Sequence, residues 1–375
     1  MTRETADVVV VGCGGFGSSV VCHLARRGIN VVGIDQFSPP HNFGSSHGHT
    51  RVTRKAYFEH PDYVPLLNHS AEWWRELQQF SGTELFVRCG LLLVGPSDGE
   101  VIHGTRLAQQ QHQLDIASLT VNEARQRFPQ FRFPPDADVL FESDSGYLWS
   151  ERCIAAHLKL AENHGARLLA NETVTGLETA EQGVTVTTQN RVISAATAVM
   201  TAGAWTGHLL KDYRPLIRVC RKTLFWYPQN APVWSDPLCP IHFFDLPTGQ
   251  FYGFPSVDHQ TVKVAEHTGG EFVSAVGELR REIAGTEADP VSQYVGQHLT
   301  SVSPVHSASC VCMYSMSPDG HFLLDHLPSQ SLVVAAGFSG HGFKFTGVLG
   351  QAVSDLICDG RTELPIEFLS ASRLR

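Results

Sequence analysis

The sequence predicts an α/β protein: a Rossmann-type nucleotide-binding domain with a second α+β domain built on an antiparallel sheet. Three observations carry that expectation. Residues 7–37 read "DVVVVGCGGFGSSVVCHLARRGINVVGIDQF", residues 331–357 read "SLVVAAGFSGHGFKFTGVLGQAVSDLI", and between them lie strand-like runs such as "LIRVCRKTLFWY". At 375 residues the chain also exceeds the roughly 250–300 at which a single core stops growing, so two domains are expected.

Val8 to Val11 form an unbroken apolar run, the composition of a parallel strand buried on both faces. Gly12, Gly14 and Gly17 follow as GxGxxG, and Ser18 to Arg27 carries helical periodicity up to Gly28. A second strand over 30–34 ends in Asp35, 18 residues after Gly17. Strand, glycine turn, helix and acid stand in the order that a dinucleotide requires. Gly12 allows the tight turn, Gly14 the close approach of backbone to a pyrophosphate and Gly17 the packing of helix on strand. The helix N-terminus offers free N–H groups to the diphosphate, and Asp35 can accept hydrogen bonds from the ribose. The fingerprint alone does not separate FAD from NAD. Its place at the start of the chain, with a second glycine-rich segment closing the chain, points to FAD. That closing segment reads as a short apolar strand, a loop with Gly337, Gly340 and Gly342, and a helix from about Thr346. A glycine loop feeding a helix N-terminus favours negative charge, here the N1/C2 carbonyl edge of a reduced flavin.

Composition narrows the partners. A hydrophobic fraction of 42% with 17% charged residues is globular, and a formal charge of -9 argues against nucleic acid or an anionic membrane surface. A small-molecule partner is expected. Nine cysteines without a regular framework suggest a reducing compartment, hence the cytoplasm. Cys310 and Cys312 form a CxC pair whose sulfurs would project from one face of a strand. A disulfide between such near neighbours would be strained, and a metal would need further ligands that do not lie close in sequence. His41, His47 and His49 likewise lack an accompanying carboxylate or cysteine cluster, so no metal is expected.

Several longer stretches carry a resemblance. "CMYSMSPDGHFLLD" followed by "AAGFSGHGFKF", together with "PPHNFGSSHGHTRVTRKAY", "LFESDSGYL", "TAGAWTGHLL" and "FYGFPSVDHQTVKVAEHTGG", resembles the monomeric sarcosine oxidase and N-methyltryptophan oxidase family over roughly residues 7–370. "KTLFWY" and "KVAEHTGG" look closer to the N-methyltryptophan branch. The resemblance implies FAD attached covalently through its 8α-methyl carbon to Cys312, with Cys310 a small buried hydrophobe. It implies that Arg51 serves flavin attachment and catalysis near the ring, that Arg54 and Lys344 grip the substrate carboxylate, and that His47 belongs to the active site. Lys263 matches the lysine that activates oxygen, His267 a substrate-side histidine, and Tyr252 and Tyr314 aromatic residues lining the substrate cavity. His49 departs from the family, which carries Asp there.

On their own terms these residues admit blander readings. Arg51 and Arg54 would share a face if their stretch were helical, and otherwise read as surface arginines. "QTVKVAEH" reads as a strand with Val262 and Val264 on one face and Lys263, Ala265 and His267 on the other, by default an edge strand with lysine outward. Ordinary core packing accounts for either tyrosine.

The expected architecture is a discontinuous FAD-binding domain of residues 1–81, 148–213 and 318–375, including "RVISAATAVMTAGAW" as a strand pair. Residues 82–147 and 214–317 form the substrate domain, its antiparallel sheet roofing the flavin. The expected activity is that of a monomeric oxidase that demethylates an N-methyl amino acid with oxygen as acceptor, giving the amino acid, formaldehyde and hydrogen peroxide. A flavin- or NAD-dependent dehydrogenase that does not use oxygen, or a flavin protein without turnover, remain the alternative classes.

Overall fold

The computed structural model describes residues 2–374 and contains two large sheets and one small one. The first strand, Thr2–Val11, runs parallel to Val31–Ile34 on one side and to Arg191–Met200 on the other. Its valines alternate: Val9 and Val11 enter one apolar cluster, Val8 and Val10 another. Both faces of the strand are covered, which is why the run is continuously apolar. The stretch expected as a strand pair is one strand, Arg191–Met200. Its first half pairs antiparallel with Gly183–Thr188, and its last residues pair parallel with Leu332–Ala336, so one long strand ties the closing segment to the opening one. The helices Gly15–Arg26, Val64–Ser81, Ser150–Asn163 and Thr346–Asp359 pack against one another on one face of this eight-stranded sheet.

The nine-stranded sheet is built around Arg218–Pro228, with Ala308–Met316 antiparallel along its whole length on one side. On the other side Thr261–Glu266 and then Glu271–Val273 take turns as its partner. The expected antiparallel sheet is present, with one parallel pair, Ile241–Leu246 beside Leu91–Gly95. Thr261–Glu266 is not an edge strand. It lies between Arg218–Pro228 and Gly249–Gly253, and the alternation has Val262 and Val264 in the apolar cluster while Lys263, 5% exposed, faces the other way. The small sheet, Thr50–Thr53 with Gly146–Trp149 and Phe86–Arg88, corrects another expectation. Arg51 lies on a strand and Arg54 just beyond its end, so the two side chains go to different places rather than sharing a helical face. Among the described residues no helix is long and apolar enough to cross a membrane.

Candidate active site

A cavity of about 1000 Å³ opens where the first strand meets the helix Gly15–Arg26. Gly12, Gly14 and Asp35 line it at one part, and Arg51, Tyr314, Gly340 and Gly342 at another. The glycine turn fits a dinucleotide. A Cβ on Gly14 would meet nothing within 4 Å, leaving bare backbone toward the cavity, whereas a Cβ on Gly17 would lie 1.7 Å from the Gly12 carbonyl oxygen. Only glycine permits that contact of helix and turn. Asp35 is buried; its Oδ2 accepts from the Cys13 N–H at 2.8 Å and its Oδ1 from the Phe37 N–H at 2.9 Å. Both bonds hold the carboxylate at the cavity wall, where a ribose hydroxyl could meet its remaining lone pairs.

Cys312 is buried on Ala308–Met316, and its thiol lies 3.6 Å from the Ser45 carbonyl oxygen. The Arg51 guanidinium stands beside it, with Nη2 at 3.8 Å from the sulfur and 2.7 Å from the same Ser45 carbonyl. Cys310 is half-buried, and burial pushes its thiol up to about 11. Lys263 donates from Nζ to the carbonyls of Gly48 and Thr50, both at 2.8 Å, and sits 4.1 Å over the Phe254 ring. Burial, then the Arg51 charge, pushes its ammonium well below the ordinary lysine range. His47 is buried too, lowered to about 4 chiefly by burial and then by Arg51. Its Nε2 has no hydrogen-bond partner among the described residues.

His49, in place of the family Asp, is exposed, with φ of 71°. A carboxylate nevertheless serves this turn: Glu151, at the start of Ser150–Asn163, accepts from the N–H groups of Gly48 at 2.8 Å and His49 at 3.1 Å. Burial opposes the charge of Glu151, but the Ser150 hydroxyl, the N–H groups of His49 and of Glu151 itself, and Arg51 outweigh it and hold the carboxyl below its usual range.

A second group of charges gathers around Arg54. Its Nη2 lies 2.7 Å from each oxygen of Glu59, its Nη1 donates to the Ala56 carbonyl, and its guanidinium is flanked by the rings of Tyr57 and Phe58. Burial works against the Glu59 charge, yet Arg54, His341 and Lys344 hold the carboxyl at about 2. Lys344 is buried, donates to the His341 carbonyl at 2.7 Å and lies 5.1 Å over the Tyr57 ring. Burial and then the neighbouring Arg54 lower it to about 7, while Glu59 acts the other way. His267 sits close enough to feel Glu59, Lys222, Arg54 and Lys344, and burial is the main reason that it falls to about 4. Its ring centre is 5.9 Å from that of Tyr314 and 6.4 Å from that of Tyr252.

The structure therefore brings the expected residues together as two groups. Arg51, Lys263, His47 and Cys312 gather about the turn at 45–50, Arg54, Lys344 and His267 gather about Glu59, and Tyr252 and Tyr314 lie between, in ring contact with His267 and near enough to Arg51 to feel its charge; of these, Arg51 and Tyr314 line the cavity. Sequence reading missed Glu59, Glu151 and Lys222. Glu59, five residues beyond Arg54, was within reach of a search for a local counter-ion, whereas Glu151 and Lys222 arrive from distant strands and helices.

A family model described as FAD dependent oxidoreductase matches residues 7–356. A monomeric sarcosine oxidase of Streptomyces avermitilis is 36% identical over 99% of this chain and 98% of its own length. An N-methyl-L-tryptophan oxidase of Salmonella enteritidis is 33% identical over 93% of this chain and 94% of its own. Whole-chain identity thus lies at a similar level for both branches. Among solved structures, an open form of a point mutant of NikD, described as an unusual amino acid oxidase essential for nikkomycin biosynthesis, aligns with a TM-score of 0.88. It is 26% identical and covers 98% of this chain and 97% of its own.

Proposed function

The chain belongs to the FAD dependent oxidoreductase family, and from that premise we propose that it oxidatively demethylates an N-methyl amino acid, releasing the amino acid, formaldehyde and hydrogen peroxide. The observation that carries the substrate class is the arrangement at Arg54. Two buried cations, Arg54 and Lys344, stand with a single bonded carboxylate, Glu59, held by the guanidinium through two 2.7 Å contacts. Both contacts come from the single nitrogen Nη2, with Nη1 turned to the Ala56 carbonyl, so one charged nitrogen holds both carboxylate oxygens. The substrate carboxylate takes over from Glu59, and Lys344 supplies the second positive charge.

FAD, when bound, would supply the acceptor for the electron pair of the N-methyl C–H bond and the route by which those electrons reach oxygen. Gly12 and Gly14 would hold the diphosphate and Asp35 the ribose, with Gly17 packing the helix against the turn, and the loop carrying Gly340 and Gly342 lines another part of the same cavity. Cys312 would carry the covalent 8α-thioether, and the Arg51 guanidinium stands beside its sulfur. Lys263 offers a fixed, buried donor group where negative charge develops on oxygen, and Arg51 adds to that field. His47 lies in the same group. Neutral His267, with Tyr252 and Tyr314, walls the substrate pocket and excludes water from it. In this reading residues 1–81, 148–213 and 318–375 form the FAD-binding part and 82–147 and 214–317 the substrate part. The protein works as a cytoplasmic monomer, in keeping with nine free cysteines.

A panel of N-methyl amino acids mixed anaerobically with the yellow protein tests the proposal. At least one member should bleach the flavin within seconds, and its amide or ester should not. Bleaching by the ester as readily as by the free acid would remove the carboxylate clamp, and bleaching by none of the panel would remove the substrate class.

A further inference from the structure

The long strand Arg218–Pro228 changes partners partway along. Residues 225–228 pair with Thr261–Glu266, and residues 219–221 pair with Glu271–Val273. Opposite residues 222–224 the neighbouring chain therefore leaves the ladder and arches outward through His267, Thr268, Gly269 and Gly270. Carbonyls that leave a ladder need other donors, from the protein or from water. Lys222 provides them: its Nζ donates to the carbonyls of His267 at 3.1 Å, Thr268 at 2.6 Å and Gly269 at 3.3 Å. Three ammonium hydrogens match three carbonyls.

The arch is shaped around that side chain. Gly270, at φ of 99°, would with a Cβ stand 2.6 Å from the Cys220 sulfur and 3.0 Å from Cδ of Lys222, so glycine keeps open the corridor through which the lysine reaches the carbonyls. On the far side the His267 N–H donates to the Gln250 carbonyl at 2.7 Å, and the Gln250 N–H donates to Oγ1 of Thr268 at 3.0 Å. Lys222 is only 4% exposed. Among the described residues its three hydrogen bonds all go to the arch and none to a carboxylate. A buried ammonium without a bonded counter-ion is costly, and here the bonds it makes all serve to fix one turn. That turn sets His267 against Phe243, Tyr314 and Tyr252 at 5.7, 5.9 and 6.4 Å. The same ammonium lies 5.3 Å from the Tyr314 ring centre.

We propose that Lys222 is a positioning residue of the substrate pocket: it clamps the three carbonyls of the arch and so fixes where His267 stands opposite Tyr252 and Tyr314. The inference rests on the reading of that pocket as the substrate site, but the clamp itself can be tested apart from it. In Lys222→Met the amide of His267, held by the Gln250 carbonyl, should exchange hydrogen about tenfold faster or more, while the strand Ala308–Met316 keeps its protection. The second measurement is a double-mutant cycle on the best N-methyl amino acid. Lys222→Met should lower kcat/KM roughly ten- to hundredfold, mostly through KM, and Lys222→Met combined with His267→Gln should lose no more than His267→Gln alone. A residue that merely supports the fold would lower the melting temperature while its loss in kcat/KM multiplied with that of His267→Gln, and that outcome overturns the proposal. So does an arch that stays protected without the lysine. If Lys222→Met does not fold, Lys222→Gln, with two N–H donors on a shorter arm, replaces it in both measurements with the same expected directions. A parent protein that oxidises no N-methyl amino acid, with an arch that still loosens in the variant, would sink the substrate reading and leave the clamp standing.

Discussion

Glu59→Gln removes the carboxylate that Arg54 grips through two 2.7 Å contacts and that Lys344 also feels. In the parent, an incoming substrate carboxylate must displace Glu59 from Arg54; in the variant it meets a neutral amide. Each hydrogen bond to a charged group contributes about 1.5–3 kcal/mol, so the displaced pair is worth several kcal/mol gross. Glu59 regains part of that from water and from Lys344 once it moves, leaving a net cost of about 1.4–2.8 kcal/mol. Removing the competitor should tighten binding of a small carboxylate by roughly ten- to hundredfold. The unliganded variant should also be less stable by about 3–5 kcal/mol, because a buried guanidinium has lost its partner, and added carboxylate should restore much of the lost melting temperature. Glu59 is the one neighbour that raises Lys344, so its loss lowers that ammonium further and isothermal titration belongs at a pH low enough to keep it charged in both proteins. An unchanged or weaker dissociation constant there would refute the displacement and make the Arg54–Glu59 pair a permanent part of the frame.

Three further outcomes follow from the two charge groups. Cys312→Ser should release the flavin on acid precipitation while Cys310→Ser keeps it, and peptide mass mapping that finds the flavin on Cys310 would reverse the assignment. Lys344, lowered to about 7 by burial, is charged below that pH and neutral above it. A carboxylate ligand without an ionisable amine should therefore bind with constant affinity below about pH 6 and weaken about tenfold per unit above 7, and in Lys344→Met that slope should vanish. Lys263→Met should slow reoxidation of the reduced flavin by roughly 10²–10³ in stopped flow, with anaerobic reduction by substrate falling much less; the opposite split would move Lys263 to the substrate side and leave Arg51 as the cation facing oxygen.

What could be read in the sequence is what local geometry dictates. Gly12, Gly14, Gly17 and Asp35 act within one strand–turn–helix–strand unit, so their spacing alone places them. The helix from Thr346 and the strand of Arg218–Pro228 likewise follow from local pattern. Arg51 and Arg54 were misleading because a three-residue spacing reads as a helical face, whereas long-range pairing with Gly146–Trp149 makes the stretch a strand. Lys263 looked like an exposed edge residue because alternation does not reveal that both neighbouring strands are present. Lys222 carries no local signal at all: its role depends on a partner change along one strand and on carbonyls 45 to 47 residues away.

The central claim, oxidative demethylation at a carboxylate-gripping site, is tested most directly by product stoichiometry. With the N-methyl amino acid that bleaches the flavin fastest, formaldehyde, hydrogen peroxide and the demethylated amino acid should be measured together under air. The account expects equal amounts of all three, with one oxygen consumed for each. Oxidised substrate without formaldehyde would place the broken C–H bond on another carbon, and formaldehyde without peroxide would mean that an acceptor other than oxygen takes the electrons; either result contradicts the proposed reaction.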